Sequence, residues 1–142
     1  MQSDALGKNW RIKLSNVDNE ELQEKRIRLI NGIAQATSDG RITWDDTSEE
    51  DIFVAQFADV SIQVIDSEIR KGNISQKTGT FTISFFDKRG RTIDNFSLAF
   101  GSPLESMSEI NLVVFSLRLC IKKSLENLTS KRLDSILEKI GA

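Results

Sequence analysis

The chain has 142 residues, a net charge of −2, 39% hydrophobic and 28% charged residues, and neither histidine nor tyrosine. That is one domain of ordinary size with enough apolar content for a core, and too many apolar residues for a disordered chain. The missing histidine and the single cysteine, Cys120, exclude Ser-His-Asp and Cys-His nucleophiles, His- or thiolate-ligated zinc, iron–sulfur clusters and internal disulfides.

Residues 1–9 read as a loose leader. Trp10, Ile12 and Leu14 alternate with Arg11 and Lys13, a pattern that predicts a short strand or extended arm. Asp18 with Glu21 three residues on resembles a capping box. Leu22, Leu29, Ile30, Ile33 and Ala34 then give one apolar helical face, closed near Gly40.

A β-rich region follows. Ile42 and Trp44 share one side of a short strand, and residues 52–57 and 60–65 are strands joined by a tight hairpin at Ala58-Asp59. The polar segment 66–79 is long for a connection, so it is either a functional loop or contains a short helix. Residues 80–86 put Phe81, Ile83 and Phe85 on one face and hydroxyls on the other. A turn at Asp87-Lys88-Arg89-Gly90 leads to a last strand over 91–98. One-sided alternation suits an antiparallel sheet with helices on one face.

Ser102-Pro103-Leu104-Glu105 has the residue order of a helix start: cap, first-turn proline, capping-box glutamate. The helix it opens runs to about Asn127. A poor helix stretch, Asn127–Ser130, separates it from a last short helix with Leu133, Ile136, Leu137 and Ile140 on one face and Gly141 at its end. The expected fold is therefore α+β, a single domain over 1–142: an N-terminal helix, an antiparallel meander of about five strands, a long C-terminal helix and a short one.

The long helix carries two apolar stripes. Met107, Ile110, Val113, Val114, Leu117, Cys120 and Ile121 form the first; Leu112, Phe115 and Leu119 form the second, nearly opposite. Left in water, the second stripe would forfeit on the order of 5 kcal/mol of apolar burial. Two covers are open: the terminal or first helix of the same chain, or another chain, as a homodimer or partner interface.

Catalytic and cofactor signals are absent. The acidic cluster Asp45, Asp46, Glu49, Glu50 and Asp51 lacks the spacing and glycine of a calcium loop and reads as a solvated loop, with a basic partner as the alternative. Lys77-Thr78-Gly79 has no accompanying Ser-x-x-Lys, and no glycine-rich phosphate loop occurs. Three Asn-x-Ser/Thr sequons, at Asn73, Asn95 and Asn127, lack a preceding secretion signal. The balanced charge gives no case for nucleic acid, and no apolar segment has the length of a membrane span.

The charged helix, the run Asp39-Gly40-Arg41-Ile42-Thr43-Trp44, the meander and the C-terminal helix together resemble small uncharacterised bacterial α+β proteins, over about residues 18–98. That resemblance implies no activity and no functional residue. Size, acidity and element order are also similar to the small acidic chaperones of bacterial secretion systems, from which the chain departs in its extra terminal helix and its basic Lys25, Arg26 and Arg28.

The expected function is a non-enzymatic cytoplasmic protein-interaction module, an adaptor, chaperone or inhibitor-like domain without cofactor or metal. It would act on a protein partner or on itself as a homodimer, with Leu112, Phe115 and Leu119 as interface residues. The alternative is a small-ligand-binding domain with a pocket between sheet and long helix, lined by Trp44, Phe81, Phe85 and Phe96. A hydrolase built on the 45–51 carboxylates is a third reading.

Overall fold

A computed structural model describes residues 2–70, 79–100 and 109–141, with side chains for 20–70, 79–99 and 109–141. The order is α1 (Gln2–Ser38), β1 (Trp44–Asp46), β2 (Ile52–Phe57), β3 (Val60–Ile65), β4 (Gly79–Phe86), β5 (Thr92–Phe100) and α2 (Glu109–Ile140). The strands form one antiparallel sheet in sequence order, a plain meander. This is the expected α+β arrangement.

Strand periodicity decides which face meets the helices. Trp44, Phe53, Ala55, Ile62, Val64, Phe81, Ile83 and Phe85 point one way and are buried together with Ile30, Ile33 and Ala34 of α1 and Ile110, Val114, Leu117 and Ile121 of α2. The other face carries Gln56, Ser61, Gln63, Thr80, Thr82, Asn95 and Ser97, which suits the side of the sheet the core does not cover. On it, the hydroxyls of Thr82 and Ser97 meet at 2.8 Å and Asn95 donates to Ser84 at 2.6 Å.

The turns follow local chemistry. Ala58 has φ 53°, the only positive value at a non-glycine position among the described residues, in the two-residue β2–β3 hairpin where Phe57 pairs with Val60. A positive φ at the first central position alone is the pattern of a type II′ turn, whose natural occupant is glycine. Between β4 and β5, the Asp87 carboxylate accepts the backbone N–H groups of Arg89 and Arg91 and the Arg91 Nε, while Gly90 takes φ 81°. These bonds hold the Asp87 carboxyl below its ordinary range, the Arg91 N–H contributing most. Helix α1 ends in a Schellman motif: Arg41 N–H reaches the Ala36 carbonyl and Gly40 N–H the Thr37 carbonyl, with Gly40 at φ 79°.

Three expectations change. Helix α1 begins at Gln2, so the stretch read as leader and short strand, Trp10–Leu14 included, is helical. Among its described side chains, Ile30, Ile33, Ala34, Ala36 and Thr37 are buried, while Leu22 and Leu29 are exposed. Helix α2 does not break at Asn127: it is continuous from Glu109 to Ile140. No proline or glycine interrupts it, and Asn127, Thr129 and Ser130 each cost only tenths of a kcal/mol in a helix already propagating on both sides. Gly141, at φ 81°, ends it and donates its N–H to the carbonyls of Leu137 and Glu138. The Ser102–Glu105 helix start, Met107 and most of the 66–79 connection lie outside the described residues.

Two features pin α2 to the body. Trp44 is fully buried; its indole N–H donates to Thr37 Oγ1 at 3.0 Å, Thr37 donates in turn to the Ile33 carbonyl, and the Trp44 backbone N–H reaches Ser124 Oγ. One residue thus joins the end of α1, the start of the sheet and the middle of α2. The second is an ion pair: Arg118, in the midst of the apolar run, is 0% exposed, and its Nε lies 2.5 Å from Asp66 Oδ2 and its Nη2 3.2 Å from Oδ1, with Asp66 equally buried. Charged groups are almost never buried unpaired, and a two-pronged guanidinium–carboxylate bond is the arrangement that permits it. Gly79 makes room: a Cβ there would lie 3.2 Å from Arg118 Nη2, and its φ of 125° suits only glycine.

Candidate functional site

The continuity of α2 changes the meaning of its second stripe. At about 100° per residue, Leu112, Phe115, Leu119, Leu133, Leu137 and Ile140 fall within an arc of about 80°, flanked by Ile136. The terminal apolar face is therefore not a separate helix folded over Leu112–Leu119; it extends the same stripe. Leu112 is 50% exposed, Leu119 45%, Leu133 55% and Ile140 71%, with Ile136 and Leu137 similarly open and Phe115 half-buried. Within the described residues, neither α1 nor the last turns of α2 covers it.

Beyond Thr129 the helix leaves the body: residues 130–141 are all exposed. Its last tie is Arg132, whose Nη1 lies 3.2 Å from Asp46 Oδ1. Asp46 also pairs with Arg70 at 3.6 Å, and the Arg70 guanidinium stands 5.8 Å from the Phe53 ring centre. Of the acidic cluster, Asp46 thus meets two basic partners from its own chain. Among the described residues no three metal-ligating side chains converge. Between the two apolar halves of the stripe lie Lys122 and Glu126, an i,i+4 ion pair at 3.5 Å.

Of the residues considered for a ligand pocket, Trp44, Phe81 and Phe85 are buried in the core, and Phe96 packs against it from β5. The Arg26 guanidinium sits 4.6 Å above the Phe96 ring and holds Asp94 through both carboxylate oxygens, at 2.9 and 2.7 Å. That bond raises the Arg26 pKa and lowers that of Asp94. A groove of about 340 Å³ does open elsewhere, where Asp46, Phe53 and Arg70 face Lys122 and Leu125 of α2. Its polar rim is internally paired through Asp46 and through Lys122–Glu126.

Cys120 packs half-buried against the core, and burial pushes its thiol pKa up, only partly offset by Lys123. That is the environment of an unreactive thiol. Sequence reasoning missed the Arg118–Asp66 pair. Its signal was present as an arginine within an apolar helical run, but its partner lies 52 residues away.

Among the described residues the fold is a two-helix, five-stranded α+β meander whose second helix carries an exposed apolar stripe. No family model, curated protein or solved structure matches the chain. Among the described residues no helix is long and apolar enough to cross a membrane.

Proposed function

We propose that this chain is a non-enzymatic cytoplasmic protein-interaction module whose working surface is the outer face of α2, from Leu112 to Ile140. The observation that carries this reading is the collinear stripe: large apolar side chains along one helix face, all but the half-buried Phe115 between 45% and 71% exposed. Two exposed apolar patches in line on one helix face, bridged by the Lys122–Glu126 pair, are what an interaction site presents. A helix face with anchors at i, i+3 and i+7 is also a standard way to present a surface to a protein partner. The absence of histidine excludes Ser-His-Asp and Cys-His nucleophiles, which agrees with a binding role.

A photo-crosslinking amino acid placed at Leu119 tests this in cells that express the protein, with Lys88 at the β4–β5 turn as control. The expected result is one adduct of defined mass at position 119 that is lost when Leu133→Glu is added. Equal labelling at both positions, or none at 119, would refute the assignment of the surface.

A further inference from the structure

We infer that the occupant of this face is α2 of a second copy, packed antiparallel about a two-fold axis at Glu126. The inference rests on the interaction reading above and adds to it the partner and the register.

The first argument is spacing. The seam reads Leu112, Phe115, Leu119, Lys122, Glu126, Ser130, Leu133, Leu137, Ile140, with steps of three, four, three, four, four, three, four and three. Those steps are the same in both directions from Glu126. An antiparallel partner in that register sets Leu112 against Ile140, Phe115 against Leu137 and Leu119 against Leu133. A shift of seven residues either way sets Leu119 or Leu133 against Glu126 instead. A two-fold interface requires a surface complementary to itself, and this stripe has that property in one register.

Charge gives the second argument. A parallel, in-register pair would oppose Lys122 to Lys122 and Glu126 to Glu126. The antiparallel pair opposes Lys122 to Ser130 and leaves one Glu126–Glu126 meeting at the axis, with a Lys122 about 6 Å along the helix on either side. Each Lys122 already bonds Glu126 of its own chain, so the four charges cancel locally. Helix dipoles also oppose favourably when antiparallel.

The third argument is reach. Residues 130–141 are exposed because they extend past the body of their own chain. In the antiparallel pair they lie over Leu112–Leu119 of the other copy, so each tail covers the stripe that its own chain leaves open. The seam spans about 42 Å, and a strip one helix wide amounts to on the order of 450 Å² per copy. Over both copies that falls below the ~1,200 Å² lower end of standard specific interfaces, in the range of weak, transient ones, so the dimer is reversible and concentration-dependent.

Sedimentation equilibrium of the full chain between about 1 and 300 μM tests the pairing. A monomer–dimer equilibrium is expected, weakened at least tenfold by Leu133→Glu with unchanged helicity, because Leu133 is exposed in the single copy. Disulfide trapping tests the register in a Cys120→Ser background. Glu126→Cys should cross-link to itself, Leu119→Cys should not, and a mixture of Leu119→Cys with Leu133→Cys should cross-link to each other. Self-linking at position 119 as efficient as at 126 would overturn the antiparallel register. A folded monomer at every concentration would overturn self-pairing; with a foreign photo-adduct at Leu119 the interaction reading stands, and without one both fall.

Discussion

Asp66→Ala tests how the long helix is held. In the native chain the Asp66 carboxylate takes the Arg118 Nε at 2.5 Å and Nη2 at 3.2 Å, and its Oδ1 also accepts the Glu68 N–H at 2.9 Å. Both charges are fully buried. Truncation leaves a guanidinium in the core without its carboxylate, which costs about 3–5 kcal/mol. It also releases the Asx turn that leads to Ile69, a core residue. Against a typical stability of about 5–15 kcal/mol this is a large fraction. With a urea slope near 2 kcal/mol per molar, the unfolding midpoint should fall by about 1.5–2.5 M. Circular dichroism at 222 nm is the assay, since most helical signal is lost on unfolding. Asp66→Asn keeps an oxygen for Glu68 and should fall between the two. A midpoint within 0.5 M of the wild type for Asp66→Ala would refute the argument, because the pair would then contribute no more than an exposed one.

Four further outcomes follow from other parts of the molecule. Ala58→Gly relieves a positive φ at a turn position and should raise stability by about 0.5–1 kcal/mol in the same titration. Leu117→Ala, at a fully buried position, should cost about 2–5 kcal/mol, while Leu119→Ala two residues on should stay within about 0.5 kcal/mol in dilute monomer. Asp94→Asn removes the carboxylate that grips Arg26 and should cost about 1–2 kcal/mol at neutral pH, measured by thermal unfolding. Because the Asp94 pKa is lowered in the folded state, its contribution is complete above the ordinary carboxylate range and disappears as pH falls through the folded value. The two proteins should therefore differ equally at pH 7 and 5.5 and converge below about pH 4.

Much of this fold was legible in local pattern. The hairpin at Ala58-Asp59, the Asp87–Gly90 turn and the inward set Phe81, Ile83 and Phe85 follow from period-two alternation and turn chemistry, both of which act over a few residues. The same alternation puts Trp44 on one side with Ile42, and both are buried. What escaped was non-local or cooperative. Asp66 gives no sign of Arg118 because nothing in the intervening sequence encodes their meeting. Asn127–Ser130 looked like a boundary because their helix propensity is poor, but four weak residues do not break a helix that good formers extend on both sides. That error mattered for the site. Leu112, Phe115 and Leu119 were visible as a second stripe, but their alignment with Leu133, Leu137 and Ile140 appears only when the helical phase is carried unbroken through Asn127. Leu22 and Leu29 were placed inward by spacing alone, whereas the buried arc of α1 is set by where the sheet and α2 touch it.

The indole of Trp44 makes the molecule report on itself. The chain has two tryptophans, Trp10 and Trp44, and no tyrosine, so selective excitation near 295 nm samples only these rings. Trp44 is shielded from water and bonded to Thr37, so its emission should lie toward the blue until the junction of α1, β1 and α2 opens. A Trp10→Phe variant would leave one emitter at that junction. Its loss of signal could then be timed against the helical signal, to learn whether the projecting half of α2 unravels before the domain that anchors it.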